Sequence, residues 1–132
     1  MRVSTRGHWQ KFWEEADTLE LDDVYGTDGR MVREVLRPGD LAVDLTAGKG
    51  RDTLALAAAV GQTGQVVSFD TQAVALEQTA ALLQQHGYTV KNWSGGRIAD
   101  GTGIVLAQTC HSSIKAILSR PVRAVLANLG YL

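Results

Sequence analysis

The sequence predicts an α/β protein, a doubly wound parallel sheet with helices on its faces. The first reason is that short apolar runs alternate with helix-forming segments along the chain. The second is that the connections between the apolar runs are far too long for hairpins, which favours parallel βαβ units. The length of 132 residues indicates a single domain with one hydrophobic core, and it is short for a complete enzyme of the doubly wound kind.

The chain divides into an N-terminal polar and aromatic extension, residues 1–28, and a regular domain, residues 29–132. Within the extension, Trp9, Phe12 and Trp13 fall at helical spacing. This spacing predicts a short amphipathic helix that packs its aromatic face on the domain. Stacking on a nucleic-acid base is the alternative role for these rings.

Four apolar runs are predicted as strands of the kind that is buried on both faces of a sheet. They cover residues 41–46, 65–70, 103–108 and 122–129. Segments of helix formers precede or separate them, at 29–36, 52–60, 71–86 and 112–119. The segment 88–101 fits this alternation least well and is expected to be a strand extension followed by a glycine-rich loop.

Local signals set the helix boundaries. Pro38 and Gly39 end the first predicted helix, because the residue before a proline disfavours helix and Gly39 supports a turn. Asp52 is expected to be the N-cap of the second helix, and Gly87 the C-cap of the third.

The composition is that of a soluble globular protein, with 45% hydrophobic residues, 20% charged residues and a mean hydropathy of −0.06. No apolar run approaches the roughly 20 residues that span a bilayer, and the first residues lack the apolar centre of a secretory signal. A cytoplasmic protein with no membrane partner is therefore expected. The net charge of −1 means that an RNA would have to bind a local basic patch.

Cysteine and histidine usage argues against a metal site. The single cysteine, Cys110, excludes an internal disulfide and is expected to be a small buried residue. No Cys/His cluster has the spacing of a zinc site, so no metal is expected.

The segment "VDLTAGKGRDT", residues 43–53, is the candidate ligand-binding element. A predicted strand runs into Gly48-Lys49-Gly50, and a predicted helix follows. This places bare backbone at the carboxyl end of the sheet, where open α/β folds bind ligands. Glycine permits both unusual dihedral angles and a close approach, so a nucleotide or nucleoside ligand is indicated.

Two nucleotide loops fit this segment poorly. A phosphate-binding P-loop would need glycine at Val43 and Ser or Thr at Gly50, so it is excluded. A dinucleotide fingerprint would need a third glycine at Thr53, so NAD or FAD binding is weakened but stays an alternative. Asp70, 20 residues after Gly50, is placed to accept hydrogen bonds from ribose hydroxyls with either kind of cofactor.

Asp44 favours a different cofactor. It lies inside the first predicted strand, four residues before Gly48, where a carboxylate is costly unless it meets a partner. The methionyl ammonium of S-adenosylmethionine is such a partner.

The sequence "VDLTAGKGRDTLALAAAVGQTGQVVSFDTQAVALEQT", followed by "VRAVLANLGYL", resembles the class I S-adenosylmethionine-dependent methyltransferases, which have a Rossmann-like fold. Within that class it resembles the small family labelled "putative rRNA methylase", over roughly residues 30–132. The paired elements Asp-x-Thr-x-Gly-x-Gly-x-Asp-Thr and Asn-Leu-Gly-Tyr-Leu carry the resemblance. Some members methylate the 5-aminomethyl group of the tRNA wobble uridine, so the resemblance implies S-adenosyl-L-methionine as cofactor and RNA, specifically tRNA, as substrate.

The resemblance also implies roles for single residues. The implied cofactor-binding residues are Asp44, Thr46, Gly48, Gly50, Asp52, Thr53 and Asp70. The first aspartate and the two glycines would hold the methionyl end, and Asp70 would take the ribose hydroxyls. Plain helix capping is the alternative role of Asp52 and Thr53.

Four residues are the implied catalytic group. By analogy, the side-chain oxygen of Asn128 would accept a hydrogen bond from the target nitrogen, and the backbone carbonyl of Leu129 would assist. Tyr131 would stack on the base, and His111 would accept the departing proton. The alternative for "NLGYL" is an ordinary turn. Since the sulfonium methyl is already activated, no covalent intermediate is expected.

The chain departs from the family pattern in two ways. Thr109 and Ser112 stand where members carry acidic residues. The class has seven strands in the order 3-2-1-4-5-7-6, whereas this chain stops just past the fourth predicted strand. Residues 122–129 are therefore expected to form an unpaired edge and to support a homo-oligomer. A truncated or degenerate domain without activity is the main alternative function, and a dinucleotide-dependent oxidoreductase the weaker one.

Overall fold

The computed structural model describes residues 34–127 and the backbone of residues 2–4. In this part of the chain it contains one sheet of six parallel strands. The strands are β1 (Arg2–Ser4), β2 (Leu41–Asp44), β3 (Gln65–Asp70), β4 (Val90–Asn92), β5 (Gly103–Gln108) and β6 (Ala124–Leu126). The helices are α1 (Arg51–Val60), α2 (Ala73–Gln85) and α3 (Ile114–Ile117), the last preceded by a 3₁₀ turn at His111–Ser113.

The strand order β1-β6-β2-β3-β5-β4 makes this a doubly wound sheet. From β2 the chain passes through α1, β3 and α2 toward β5, and then returns to place β6 on the other side of β2. Two apolar clusters result, one beneath α1 and α2 and one on the opposite face beside α3. The predicted α/β class and its doubly wound parallel sheet are therefore confirmed.

Burial on both faces explains why the central strands were predictable. In β3, Val66, Val67 and Phe69 are fully buried, and the predicted bounds 65–70 match the structure. The bounds 103–108 match β5 as well. Since both faces of these strands lie against apolar layers, their sequences are short and almost continuously apolar.

The strand predicted over 41–46 ends earlier, at Asp44. The reason is local, because a carboxylate oxygen of Asp44 accepts the backbone N–H of Thr46, two residues further on, at 2.9 Å. This bond turns the chain out of the extended conformation. The predicted strand 122–129 is likewise shorter, with β6 covering Ala124–Leu126.

The segment 88–101 contains a separate short strand rather than an extension of its neighbour. Strand β4 pairs with β5 in parallel, with Val90 opposite Ile104. The expected glycine-rich loop follows it, and the Trp93 indole N–H donates to the Gly96 carbonyl at 2.8 Å. The loop is tied to α3 by the Ile98 N–H, which donates to the Ile117 carbonyl at 2.6 Å.

The expectation that residues 122–129 form an unpaired edge is wrong. Strand β1 pairs in parallel with β6, with Arg2 opposite Ala124, so β6 has a neighbour on both sides. The edges of the described sheet are β1 and β4. A homo-oligomer stays a prediction, but an unpaired β6 edge no longer supports it.

Several predictions fall outside the described residues. These are the aromatic helix with Trp9, Phe12 and Trp13, and the "NLGYL" element. Over residues 34–127, no helix is long and apolar enough to cross a membrane.

Candidate cofactor-binding site

The loop between β2 and α1 depends on two glycines with positive φ, Gly48 at +56° and Gly50 at +91°. Gly50 is the N-cap of α1, and its carbonyl accepts the Leu54 N–H at 2.9 Å. A Cβ built on Gly50 would lie 2.8 Å from the Thr79 Cα of α2. The lack of a side chain at Gly50 therefore serves the close packing of α2 against the loop.

Gly48 is held from two sides. Its N–H donates to Asp70 Oδ2 at 3.2 Å, and its carbonyl accepts the Thr79 hydroxyl at 3.2 Å. The other carboxylate oxygen of Asp70 accepts the Gln72 N–H at 2.9 Å. Asp70, at the end of β3, thus joins the glycine loop to the start of α2.

A cavity of about 630 Å³ opens at the carboxyl ends of β2, β3 and β5. We call it the carboxyl-end cavity. Its walls are the loops that follow these strands and the first turns of α2. The lining residues are Leu45, Thr46, Gly48, Lys49, Asp70, Thr71, Gln72, Val74, Ala75, Gln78, Thr109, Cys110 and His111. Its volume falls within the range of small-molecule sites.

The predicted site residues divide into two groups. Thr46, Gly48, Asp70 and His111 meet at the carboxyl-end cavity. The other predicted residues among the described ones do not line it, and these are Asp44, Gly50, Asp52 and Thr53. The remaining three, Asn128, Leu129 and Tyr131, lie outside the described residues.

Asp44 is fully buried behind the cavity wall. One carboxylate oxygen accepts the Thr46 N–H, and the other accepts the Thr53 hydroxyl at 2.8 Å. Burial raises the pKa of Asp44 to about 8, and the charges of Asp52 and Asp70 add to the rise, while the two hydrogen bonds oppose it.

The expected capping role of Asp52 is wrong. Helix α1 begins at Arg51 with Gly50 as its N-cap, and a glycine has no side chain to make the capping hydrogen bond. Asp52 is the second helical residue, where its negative charge interacts favourably with the positive end of the helix dipole. Thr53 is not a cap either, because its hydroxyl points inward to Asp44 and lies 2.8 Å from the Ser68 hydroxyl.

The loop after β5 also differs from expectation. Cys110 was expected to be buried, yet it is exposed and lines the cavity beside His111. Hydrogen bonds from the Ser112 side chain and backbone lower the pKa of the Cys110 thiol. The strand β5 ends at Gln108, so Cys110 lies in the loop beyond it and is not buried with the strand.

Sequence reasoning gave no role to two polar residues of this region. Lys49 lies inside the glycine motif and lines the cavity. Ser68 lies within the apolar run 65–70, and a lone hydroxyl within such a run is the signal that points to a buried polar contact.

Solved structures that are similar to this chain include a methylase and a methyltransferase. A "putative rRNA-methylase" from Clostridium thermocellum superposes with a TM-score of 0.62 at 29% identity, covering 76% of this chain and 49% of that one. A "putative methyltransferase" from Streptococcus mutans, solved in complex with SAH, gives a TM-score of 0.60 at 30% identity, covering 79% and 50%. The doubly wound sheet with its glycine loop is therefore that of a class I S-adenosylmethionine-dependent methyltransferase.

The family follows from the sequence match. The model of the family described as "Putative rRNA methylase" matches residues 66–132, just over half of the 132-residue chain. The chain belongs to this family.

A curated relative matches over most of this chain. The "tRNA (mnm(5)s(2)U34)-methyltransferase, chloroplastic" of Arabidopsis thaliana is 36% identical over 107 residues, which cover 75% of this chain and 35% of the relative. The chain thus spans about a third of that relative and about half of the two solved structures.

Proposed function

We propose that this chain carries the cofactor-binding part of an S-adenosylmethionine-dependent methyltransferase that acts on RNA. The finer proposal is N-methylation of an aminomethyl group on a tRNA wobble uridine. The main support for the proposal is the carboxyl-end cavity, where Asp70 joins the glycine loop to α2. The name of the Arabidopsis relative supports the tRNA substrate, and the SAH complex of the Streptococcus mutans structure supports the cofactor.

The donor and acceptor groups of the cavity fit this cofactor. Asp70 accepts two backbone N–H groups, whereas a carboxylate has about four lone-pair sites. The remaining sites can accept the two ribose hydroxyls. Lys49 and Thr46 line the wall on the side of the glycine loop, toward the proposed methionyl end. Bound there, S-adenosylmethionine supplies a methyl group already activated on sulfur.

The residues of this chain would then act mainly by positioning. An amine nucleophile has to be neutral and in line with the methyl group, and orientation alone can supply effective molarities of roughly 10⁵ to 10⁸ M. His111 lines the cavity and is the proposed acceptor of the proton that leaves the amine. Asn128, Leu129 and Tyr131 keep their proposed roles in aiming the amine and stacking on the base.

A second candidate is a domain that retains the fold and cofactor cavity but does not transfer methyl groups. The observation that favours it is Thr109, which lines the cavity where the family resemblance implies an acidic residue. A neutral hydroxyl there gives weaker hydrogen bonds to adenine or substrate than a carboxylate would.

Calorimetric titration of the full chain with S-adenosylmethionine tests the proposed cofactor. We expect the wild type to bind it and not NADH. Asp70→Ala should weaken binding by tenfold or more, because it removes both the ribose acceptor and the tie to Gly48. The matched control is Asp40→Ala, since Asp40 also accepts a backbone N–H, from Arg37 at 2.8 Å, but lies before β2 at the other end of the sheet.

Equal binding by the wild type and Asp70→Ala would contradict the proposed site. If S-adenosylmethionine binds as expected, incubation with tRNA that carries aminomethyl-uridine tests the reaction. Methylated nucleoside in the digest supports the enzyme. Binding without methylation supports the second candidate.

A further inference from the structure

We propose that Ser68 is a positioning residue that acts through Thr53 to hold the Asp44 carboxyl group beneath the wall of the carboxyl-end cavity. Together the two hydroxyls form a chain that can reverse its direction when Asp44 gains or loses a proton. The effect on cofactor binding rests on the proposed function, whereas the hydrogen-bond chain does not.

The backbone brings these three side chains together. Asp44 and Ser68 are register partners in the neighbouring parallel strands β2 and β3, so their side chains leave the sheet on the same face. Thr53, the third residue of α1, lies over both. All three side chains are fully buried. Water is therefore kept from them, and their hydrogen bonds must be made to protein.

Counting hydrogens fixes the direction of the chain. The Asp44 carboxylate accepts from the Thr46 N–H at one oxygen and from the Thr53 hydroxyl at the other. Thr53 has a single hydroxyl hydrogen, which this bond uses. While Asp44 is ionised, Ser68 therefore donates in the 2.8 Å contact between the hydroxyls of Ser68 and Thr53.

The same atoms also satisfy the protonated carboxyl group. With its proton on the oxygen that faces Thr53, Asp44 donates to Thr53, and Thr53 in turn donates to Ser68. No heavy atom has to move between the two states. Ser68 is thus the donor at the start of the chain in one state and the acceptor at its end in the other.

The charges around Asp44 oppose its ionisation, which the hydrogen-bonded hydroxyls of Thr53 and Ser68 favour. Asp52 on α1 and Asp70 at the end of β3 both raise the pKa of Asp44, as does burial. On its other side β6 contributes the apolar Val125 and Leu126. Lys49 and Arg51, in the connection to α1, are exposed. A cation that enters the cavity would favour the ionised carboxylate, which the hydroxyl chain then stabilises.

The hydrogen-bonded side chains are connected to the cavity through Thr46. Asp44 accepts the Thr46 N–H, and Thr46 lines the cavity. A misplaced carboxylate would therefore move the cavity wall as well as the buried charge.

Nuclear magnetic resonance titration of the Asp44 side-chain carboxyl carbon in the full chain tests the inference. Thr53→Val removes the hydroxyl and keeps the shape, so we expect it to raise the pKa of Asp44. Thr53→Ser keeps the hydroxyl and should restore the wild-type value. Ser68→Ala should raise the pKa in the same direction but less, because it weakens Thr53 as a donor to the carboxylate.

Thr79→Val is the matched control, since Thr79 is an equally buried threonine whose hydroxyl bonds the Gly48 carbonyl and not Asp44. It should lower stability without moving the pKa of Asp44. An unchanged pKa in Ser68→Ala, alongside a raised one in Thr53→Val, would overturn the role of Ser68. If Ser68→Ala does not fold, Ser68→Cys, a weak donor of similar size, gives the same comparison.

Titration with S-adenosylmethionine adds the functional readout. Ser68→Ala should weaken binding at about pH 7 by roughly threefold to tenfold, the value of one hydrogen bond, and the ratio to wild type should approach one near pH 9. A ratio that does not change with pH would contradict the link to Asp44 ionisation. If the wild type binds no S-adenosylmethionine, the proposed function fails while the shifts of the Asp44 pKa still decide the inference.

Discussion

The two ends of the sheet carry cavities of similar size but different chemistry. The carboxyl-end cavity measures about 630 Å³, and a second cavity of about 520 Å³ opens at the amino ends of β3 and β5. The carboxyl-end cavity is lined by Asp70, Lys49 and His111. Among the described residues that line the second, which we call the amino-end cavity, there is no Asp, Glu, Lys or Arg, and His86 is the one imidazole.

The difference follows from the direction of the helices. Helices α1 and α2 begin at the carboxyl end of the sheet, so the positive ends of their dipoles point toward the carboxyl-end cavity. At the amino end their last turns are closed internally, since the Gly61 N–H donates to the Ala57 carbonyl and the Tyr88 N–H to the Leu83 carbonyl. The direction of the helix dipoles and the charged lining residues, rather than volume, thus distinguish the candidate site.

The largest expected effect concerns a glycine at each end. Gly50→Ala should lower the free energy of unfolding by about 2–5 kcal/mol, because it combines a left-handed φ with overpacking against Thr79. Gly87→Ala is matched in φ, at +85°, but its Cβ would meet nothing within 4 Å, so we expect a cost of about 1–2 kcal/mol. Urea unfolding measures both, and equal losses would mean that the close approach of α2 contributes nothing.

The next effect is a pH dependence confined to one end of β2. The Asp44 carboxyl group has a pKa of about 8 in the folded chain, against an ordinary value of 3.8. At pH values between these two, the folded chain holds one proton more than the unfolded chain. The free energy of unfolding should therefore fall as pH rises, by up to about 1.4 kcal/mol per pH unit. Asp44→Asn cannot ionise and should flatten this decline.

Asp40→Asn, at the amino end of the same strand, is the control and should keep the wild-type slope. The measurement is urea unfolding at several pH values from about 4 to 8. Parallel profiles for the wild type and Asp44→Asn would show that Asp44 ionises in the folded chain as it does in water.

The smallest expected effect separates two exposed cations, Lys49 in the glycine loop and Arg51 at the start of α1. Lys49 lines the carboxyl-end cavity and Arg51 does not. We expect Lys49→Gln to weaken the binding of S-adenosylhomocysteine by roughly tenfold or less, through loss of a charge-assisted bond to its carboxylate. Binding of 5′-methylthioadenosine, which lacks the amino-acid part, should not change.

Arg51→Gln at the start of α1 and His86→Asn in the amino-end cavity should leave both affinities unaltered. Calorimetric titration checks all three variants. A change caused by His86→Asn would break the distinction between the two ends of the sheet.

The central fold was predictable because its signals are local. Strands β3 and β5 are apolar runs buried on both faces, and the one described helix between them, α2, consists largely of strong helix formers. The edge strands were not predictable in this way. Strand β4 reads Val-Lys-Asn and is half-buried to exposed, so it has no apolar pattern, and β1 is defined only by pairing with the distant β6.

The site residues were predictable where their position directly after a strand places them at the carboxyl end of the sheet. Thr46, Gly48 and Asp70 follow or end central strands, and the structure brings them to one cavity. The burial of Asp44 and its connection to Ser68 depend on the register of β2 against β3, which a single sequence does not contain. The role of Gly50 depends on the approach of α2, which is a tertiary contact.

The pairing of β1 with β6 bears on the order in which the sheet assembles. Arg2 and Ala124 face each other across more than 120 residues of chain, and the ladder has three register pairs, whereas β3 and β5 share six. Contacts of such high sequence separation carry a large loop-closure cost for few hydrogen bonds. The backbone amides of the β3–β5 ladder should therefore exchange their hydrogens slowly. The β1–β6 ladder should form last during folding and open first.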